Sequence, residues 1–132
     1  MTLGLDTSIA LRLLTGVPEA QAARARALVA SATGAVAISD LVVGETYFAL
    51  RHHYSVPHAE AVRALRALLD DPKVRGTGTA RSVLADPATL STAKTNVGVL
   101  DRLIRADYDR EGLTLATFDR ALARLAGVQL VE

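Results

Sequence analysis

The stretch Thr2-Leu3-Gly4-Leu5-Asp6-Thr7-Ser8 decides how the rest of the chain is read. A short apolar run stops at an acid, and apolar residues at helical spacing, Ile9, Ala10, Leu13 and Leu14, follow at once. This is the pattern of a first strand and first helix in a parallel α/β sheet, with Asp6 at the strand's carboxyl end. Ligands of open α/β sheets bind outside that end, so an acid there stands where chemistry is done. Asp is also a favoured helix N-cap, and a cap before Thr7 explains Asp6 equally well. The other acids of the chain decide between the two.

Working outward, Pro18 suits the first position of a helix over Glu19 to Ala32, closed by Gly34. Ala35-Val36-Ala37-Ile38 reads as a second strand, and Ser39-Asp40 as the cap of a third helix running to about Tyr54. His58 to Asp70 carries Val62, Leu65, Leu68 and Leu69 on one face and Glu60, Arg63 and Arg66 opposite, and stops at Asp71-Pro72. Lys73 to Thr79 reads as a loop or weak strand. Its Gly76-Thr77-Gly78 lacks the glycine pattern and the Gly-Lys-Ser/Thr ending of a phosphate loop. Ala80 to Ala85 and Ala88 to Lys94 are short helical turns, and a longer helix from Val97 or Val99 to about Glu111 is closed by Gly112. Leu113 to Thr117 is a strand, Phe118-Asp119 opens a short helix to Ala126, and Val128 to Val131 is the last strand. The alternation predicts one α/β domain over residues 1–132, a parallel sheet with helices on both faces.

Half of the 132 residues are apolar, enough to bury a core. The absence of cysteine excludes disulfides, thiolate metal sites and a cysteine nucleophile. Without a signal-peptide pattern or a long apolar run, the expected location is the cytoplasm. The net charge of +1 hides an asymmetry. If four acids gather in one site, the remaining surface is distinctly positive, and its cations are almost all arginine, which suits phosphate. A high arginine-to-lysine ratio in an alanine-rich chain equally reflects base composition.

Four acids form the candidate site. Glu45 shares a stripe with Leu41 and Phe48 at i, i+4, i+7, expected to face the core. Asp101 shares a face with Val97, Ile104 and Tyr108. Asp119 repeats Asp6, just past an apolar strand at the opening of a helix. Charge on a buried stripe is costly unless compensated, and clustered carboxylates repel unless a cation neutralises them. Oxygen ligands alone select Mg²⁺ or Mn²⁺, and such an ion favours phosphoester hydrolysis. Ser8 and Thr117, beside site acids, are supporting candidates. Arg12, Arg51, Arg102 and Arg120 are candidates for an RNA backbone by their nearness in sequence to those acids. His52, His53 and His58 read as ordinary exposed histidines at helix ends, and no Ser-His-Asp set is apparent.

The whole pattern resembles the PIN-domain nucleases, and within them the VapC-type toxins of toxin–antitoxin systems. The resemblance rests on Leu5-Asp6-Thr7-Ser8, on Ser39 to Val43 with Glu45, and on Asp101-Arg102-Leu103-Ile104-Arg105-Ala106. It continues through Gly112, Leu113 to Asp119 with its Thr117-Phe118-Asp119 ending, and the strand at Val128 to Val131. It implies a five-stranded parallel sheet in a three-layer fold, and Asp6, Glu45, Asp101 and Asp119 as a Mg²⁺- or Mn²⁺-binding catalytic cluster supported by Thr117. It further implies endoribonuclease activity leaving a 5′-phosphate and a 3′-hydroxyl, a homodimer, and inhibition by a VapB-type antitoxin. Two rivals stand beside it. A phosphatase with a nucleophilic Asp at the strand end would carry a second Asp at position 8, where this chain has Ser8. A catalytically silent RNA- or antitoxin-binding module would keep the acids without the metal.

Overall fold

A computed structural model describes residues 2–132. Nearly every expected helix is present: α1 (Thr7–Thr15), α2 (Glu19–Ser31), α3 (Asp40–His52), α4 (His58–Asp70), α5 (Ala80–Ala85) and α6 (Val99–Asp109). Single 3₁₀ turns stand at Pro87–Leu90 and Leu122–Arg124. The strands are three residues each: β1 (Val36–Ile38), β2 (Val74–Gly76), β3 (Leu115–Thr117) and β4 (Val128–Leu130). None of the described helices is long and apolar enough to cross a membrane.

Local chemistry accounts for the boundaries. Ser39 caps α3, its Oγ accepting from the Val42 N–H at 3.2 Å, and Asp6 caps α1. Gly16 and Gly112 end α1 and the turn after α6 in the left-handed region, at φ +73° and +74°. α4 packs on β2 and buries Ala61, Val62, Leu65 and Leu69 in the core that also seals Val36 and Ile38 of β1 from solvent. Leu5, Ala10, Val43, Leu50, Val74, Leu84, Val99 and Leu103 complete that core.

The strands are all parallel, but they do not join into one five-stranded sheet among the described residues. β1 pairs with β2, and the opening segment reaches β1 through a single bridge at Gly4–Ala37, with Leu5 N–H donating to the Ala37 carbonyl at 2.8 Å and Ala37 N–H to that of Leu3 at 2.7 Å. β3 pairs with β4 as a separate ladder. Glycine at the bridge gives the opening segment no side chain to pack at its only paired residue, which weakens it as a strand. The C-terminal pair is tied to α6 instead, where Arg105 Nε donates to the Ala126 carbonyl at 2.7 Å.

Of the two readings of Lys73 to Thr79 the strand holds, as β2 in register with β1. Two expectations need correction. The helix expected from Phe118 to Ala126 is reduced to turns around Leu122–Arg124. The stripe of α3 expected to be buried faces solvent: Leu41 is 81% and Phe48 50% exposed, and Glu45 lies between them. The core side of α3 is Val43, Gly44, Thr46 and Leu50, and Thr46 hides its hydroxyl by donating to the Val42 carbonyl at 2.7 Å. Both sides of α3 are apolar, and the helix is turned the other way because Gly44 admits α6. A Cβ at that position would meet Leu100 Cδ2 at 2.7 Å.

Candidate functional site

The backbone of Asp6 belongs to the end of the opening segment and its side chain to the start of α1. Its Oδ1 accepts from Ser8 Oγ at 2.6 Å and from the Ile9 N–H at 3.2 Å. The cap and the strand-end acid are therefore the same residue, and capping uses one oxygen while Oδ2 has no hydrogen-bond donor among the described residues. The Ser8 hydroxyl first, then the Ile9 N–H, favours the carboxylate and holds the Asp6 pKa below its ordinary value.

Glu45 comes to this end of the molecule through α3, which packs on α1. Its Oε1 accepts from Thr7 Oγ1 at 3.1 Å, so Glu45 touches the residue next to Asp6. Glu45 is exposed, and the argument from a costly buried charge does not apply to it. Thr7 was not singled out in the sequence; nothing local marks it, since its partner lies 38 residues away.

Asp101 sits half-buried in the first turn of α6, which, like α1, packs on α3. On its expected face Val97 is buried, whereas Ile104 and Tyr108 are exposed; the buried anchors of α6 are Val99 and Leu103. Asp119 is exposed beyond β3. Its N–H donates to Thr117 Oγ1 at 3.0 Å, and its Oδ1 accepts from the Ala121 and Leu122 N–H groups at 2.8 and 3.1 Å. Thr117 thus holds the backbone of Asp119, whereas Ser8 holds the carboxylate of Asp6 itself.

Among the described residues no three acid or histidine side chains stand close enough together to hold a metal ion. The expected four-carboxylate cluster is not assembled: Asp6, Glu45 and Asp119 are each turned onto local donors, the arrangement like charges favour over mutual approach. The donor chemistry nevertheless suits a hard cation, being carboxylate oxygen throughout, with Asp6 Oδ2, Glu45 Oε2 and Asp119 Oδ2 free of protein hydrogen bonds.

The cationic candidates divide. Arg51 spends Nη1 on the Val56 carbonyl at 3.0 Å, and Arg102 holds the preceding loop through Val97 O at 2.9 Å and Asn96 Oδ1 at 2.7 Å. Arg12 gives only Nε, to Gln21 Oε1 at 2.7 Å, and Arg120 is exposed. His58 is a structural link: its Nε2 donates to the Thr89 carbonyl at 2.7 Å, which leaves Nδ1 to pair with the Tyr47 hydroxyl at 2.7 Å. His52 packs its ring on Phe48 at 4.3 Å between centroids.

Asp40, read from the sequence as part of a helix cap, has a different task. Its carboxylate accepts from the Thr79 N–H, the Thr79 hydroxyl and the Ala80 N–H at 2.9–3.0 Å, capping α5 from across the fold. Gly78 is needed there, because a Cβ would stand 2.5 Å from Asp40 Oδ2. Thr79 makes no capping bond of its own, and because threonine is itself a favoured cap the sequence gives no sign of this.

No curated protein matches the chain. A family model does: that of the PIN domain aligns with residues 4–128, from the Gly4 bridge to the first residue of β4. PIN domains are generally metal-dependent nucleases, and the chain belongs to the PIN-domain family.

Proposed function

We propose that the protein is a Mg²⁺- or Mn²⁺-dependent endoribonuclease, the toxin of a type II toxin–antitoxin pair, with residues 1–132 acting as one nuclease domain. The observation that carries the reading is the Asp6 carboxylate, held ionised by Ser8 and Ile9 with one oxygen open, beside a second carboxylate, Glu45, placed by Thr7. Asp6, Glu45 and Asp101 would hold the ion directly or through water, and Asp119, fixed by Thr117, would complete the set. A divalent ion supplies charge neutralisation at the phosphate and acidifies water. The chain's own part is to anchor these carboxylates: Ser8 orients that of Asp6, Thr7 that of Glu45, and the Ala121 and Leu122 N–H groups that of Asp119, whose backbone Thr117 holds. Hydrolysis of the phosphodiester places the water oxygen on phosphorus and releases the 3′-oxygen, giving a 5′-phosphate and a 3′-hydroxyl.

Two partners accompany this reading. α3 and α6 expose Leu41, Leu100 and Ile104 along a cleft of about 450 Å³, and Phe48 and Tyr108 elsewhere on the same helices, apolar surface that a second copy of the chain would cover. A VapB-type antitoxin would occupy the acidic site. The location expected for such a pair is the cytoplasm.

The test is cleavage of RNA with Mg²⁺ or Mn²⁺ against chelator, for the parent and Asp6→Asn. Asn caps helices as well as Asp does, so the variant keeps its fold. The expected outcome is metal-dependent cleavage by the parent and none by the variant. Equal cleavage by both proteins, or cleavage indifferent to chelator, refutes the assignment; the silent binding module predicts no cleavage at all.

A further inference from the structure

Between α1 and α2 lies an open groove of about 460 Å³, lined by Ser8, Ile9, Arg12, Gln21, Arg24 and Leu28 among others. It begins at the site: Ser8, whose hydroxyl bonds Asp6 Oδ1, forms one end. Arg12 lies one turn further along α1, about 6 Å by the helical rise. Arg24 stands on α2, while Ile9, Ala25 and Leu28 give the groove its apolar surface.

Its charges are uncompensated. The ion pairs of the described residues are Arg81–Asp70 and Arg110–Asp107, so neither Arg12 nor Arg24 has a carboxylate partner. Arg12 is half-buried and fixed, since Gln21 Oε1 takes its Nε–H at 2.7 Å and a neutral acceptor leaves the positive charge intact. A guanidinium tethered by one nitrogen to a neutral amide keeps both terminal nitrogens for a bidentate acceptor.

On the nuclease reading above, we propose that this groove seats the single strand of RNA flanking the bond to be cut. Arg12 and Arg24 bind its phosphates, Gln21 is the positioning residue for Arg12, and the Ile9–Leu28 surface takes the apolar faces of sugar and base. The charge complement of such a groove is a polyanion, and its apolar surface distinguishes a single strand, with unstacked bases, from a duplex.

The experiment is fluorescence anisotropy of a labelled single-stranded oligoribonucleotide on the full chain carrying Asp6→Asn, across a salt series. Each phosphate contact to a single strand contributes about 0.7 to the slope of log K against log salt. The double variant Arg12→Gln/Arg24→Gln is expected to lower that slope by about 1.4 and to weaken low-salt binding at least about tenfold. Gln21→Ala is expected to lower the slope by up to about 0.7 with an unchanged thermal midpoint, a readout that loss of a merely structural bond would not move. Unchanged slopes in variants of a chain that does bind RNA overturn the groove and leave the nuclease reading standing. Failure of the unsubstituted groove to bind RNA overturns both.

Discussion

β1 and β3 are both three-residue parallel strands with one full partner strand, yet they are buried very differently. Val36 and Ile38 of β1 are sealed in the core and flanked on both sides by chain, whereas Leu115 and Thr117 of β3 and Val128 and Leu130 of β4 are half-buried. Phe118, immediately after β3, is 81% exposed. Asp6 and Glu45 belong to the sealed region and Asp119 to the shallow one. A site drawn from both parts combines two carboxylates on a firm frame with one on a segment holding little buried apolar area, the kind that opens most readily.

Large-to-small substitutions test that contrast most strongly. Leu65→Ala, in the buried face of α4 within the core that holds β1, is expected to cost about 2–5 kcal/mol of unfolding free energy, the range for a buried leucine. Val128→Ala, removing two methyl groups at a half-buried place, is expected to cost about 1 kcal/mol or less. Urea titration of both variants decides it; equal losses would mean that the C-terminal pair is as much part of the core as β1.

A smaller effect tests what keeps the sealed region together. Asp40→Ala removes an acceptor for three hydrogen bonds at the start of α5 and leaves the Thr79 and Ala80 N–H groups without their cap. The expected loss is about 1–3 kcal/mol, the range for a cap and for charged hydrogen bonds. Thermal unfolding measures it, and a midpoint unchanged from the parent would show that water replaces the carboxylate at no cost.

What the sequence revealed and concealed follows the same division. α4 was legible because its apolar face is single, and α2 and α6 because helix-favouring residues run between ends marked by Pro18 and Gly112. α3 was not, because Leu41, Val42, Val43, Phe48 and Leu50 surround the helix with apolar side chains, and which side is inward depends on Gly44 meeting Leu100 from α6. The turns after Asp119 were taken for a helix because alanine and leucine favour one, while a run so thinly packed does not sustain it. Asp6, Asp101 and Asp119 were identifiable as acids at element ends, and Glu45 as an acid on an apolar stripe of its helix. The Thr7–Glu45 bond and the Asp40 clamp join residues 38 to 40 apart, and no local pattern announces them.

The smallest expected effect bears directly on the strand-end acid. The Asp6 pKa is lowered chiefly by Ser8 Oγ and then by the Ile9 N–H, so Ser8→Ala should raise it toward its ordinary value without reaching it, the Ile9 bond remaining. A depressed carboxylate pKa contributes stability that is present above the unfolded value, near 3.8, and is lost as pH falls through the lower folded value. Because Asp6 is exposed, solvent screens that contribution, and the change in stability will be small and confined to acid pH. The sensitive measurement is the Asp6 carboxyl carbon shift followed through an NMR pH titration. An upward-moved midpoint in Ser8→Ala assigns to the Ser8 hydroxyl the task of keeping this acid anionic; an unmoved one transfers that task to the start of α1.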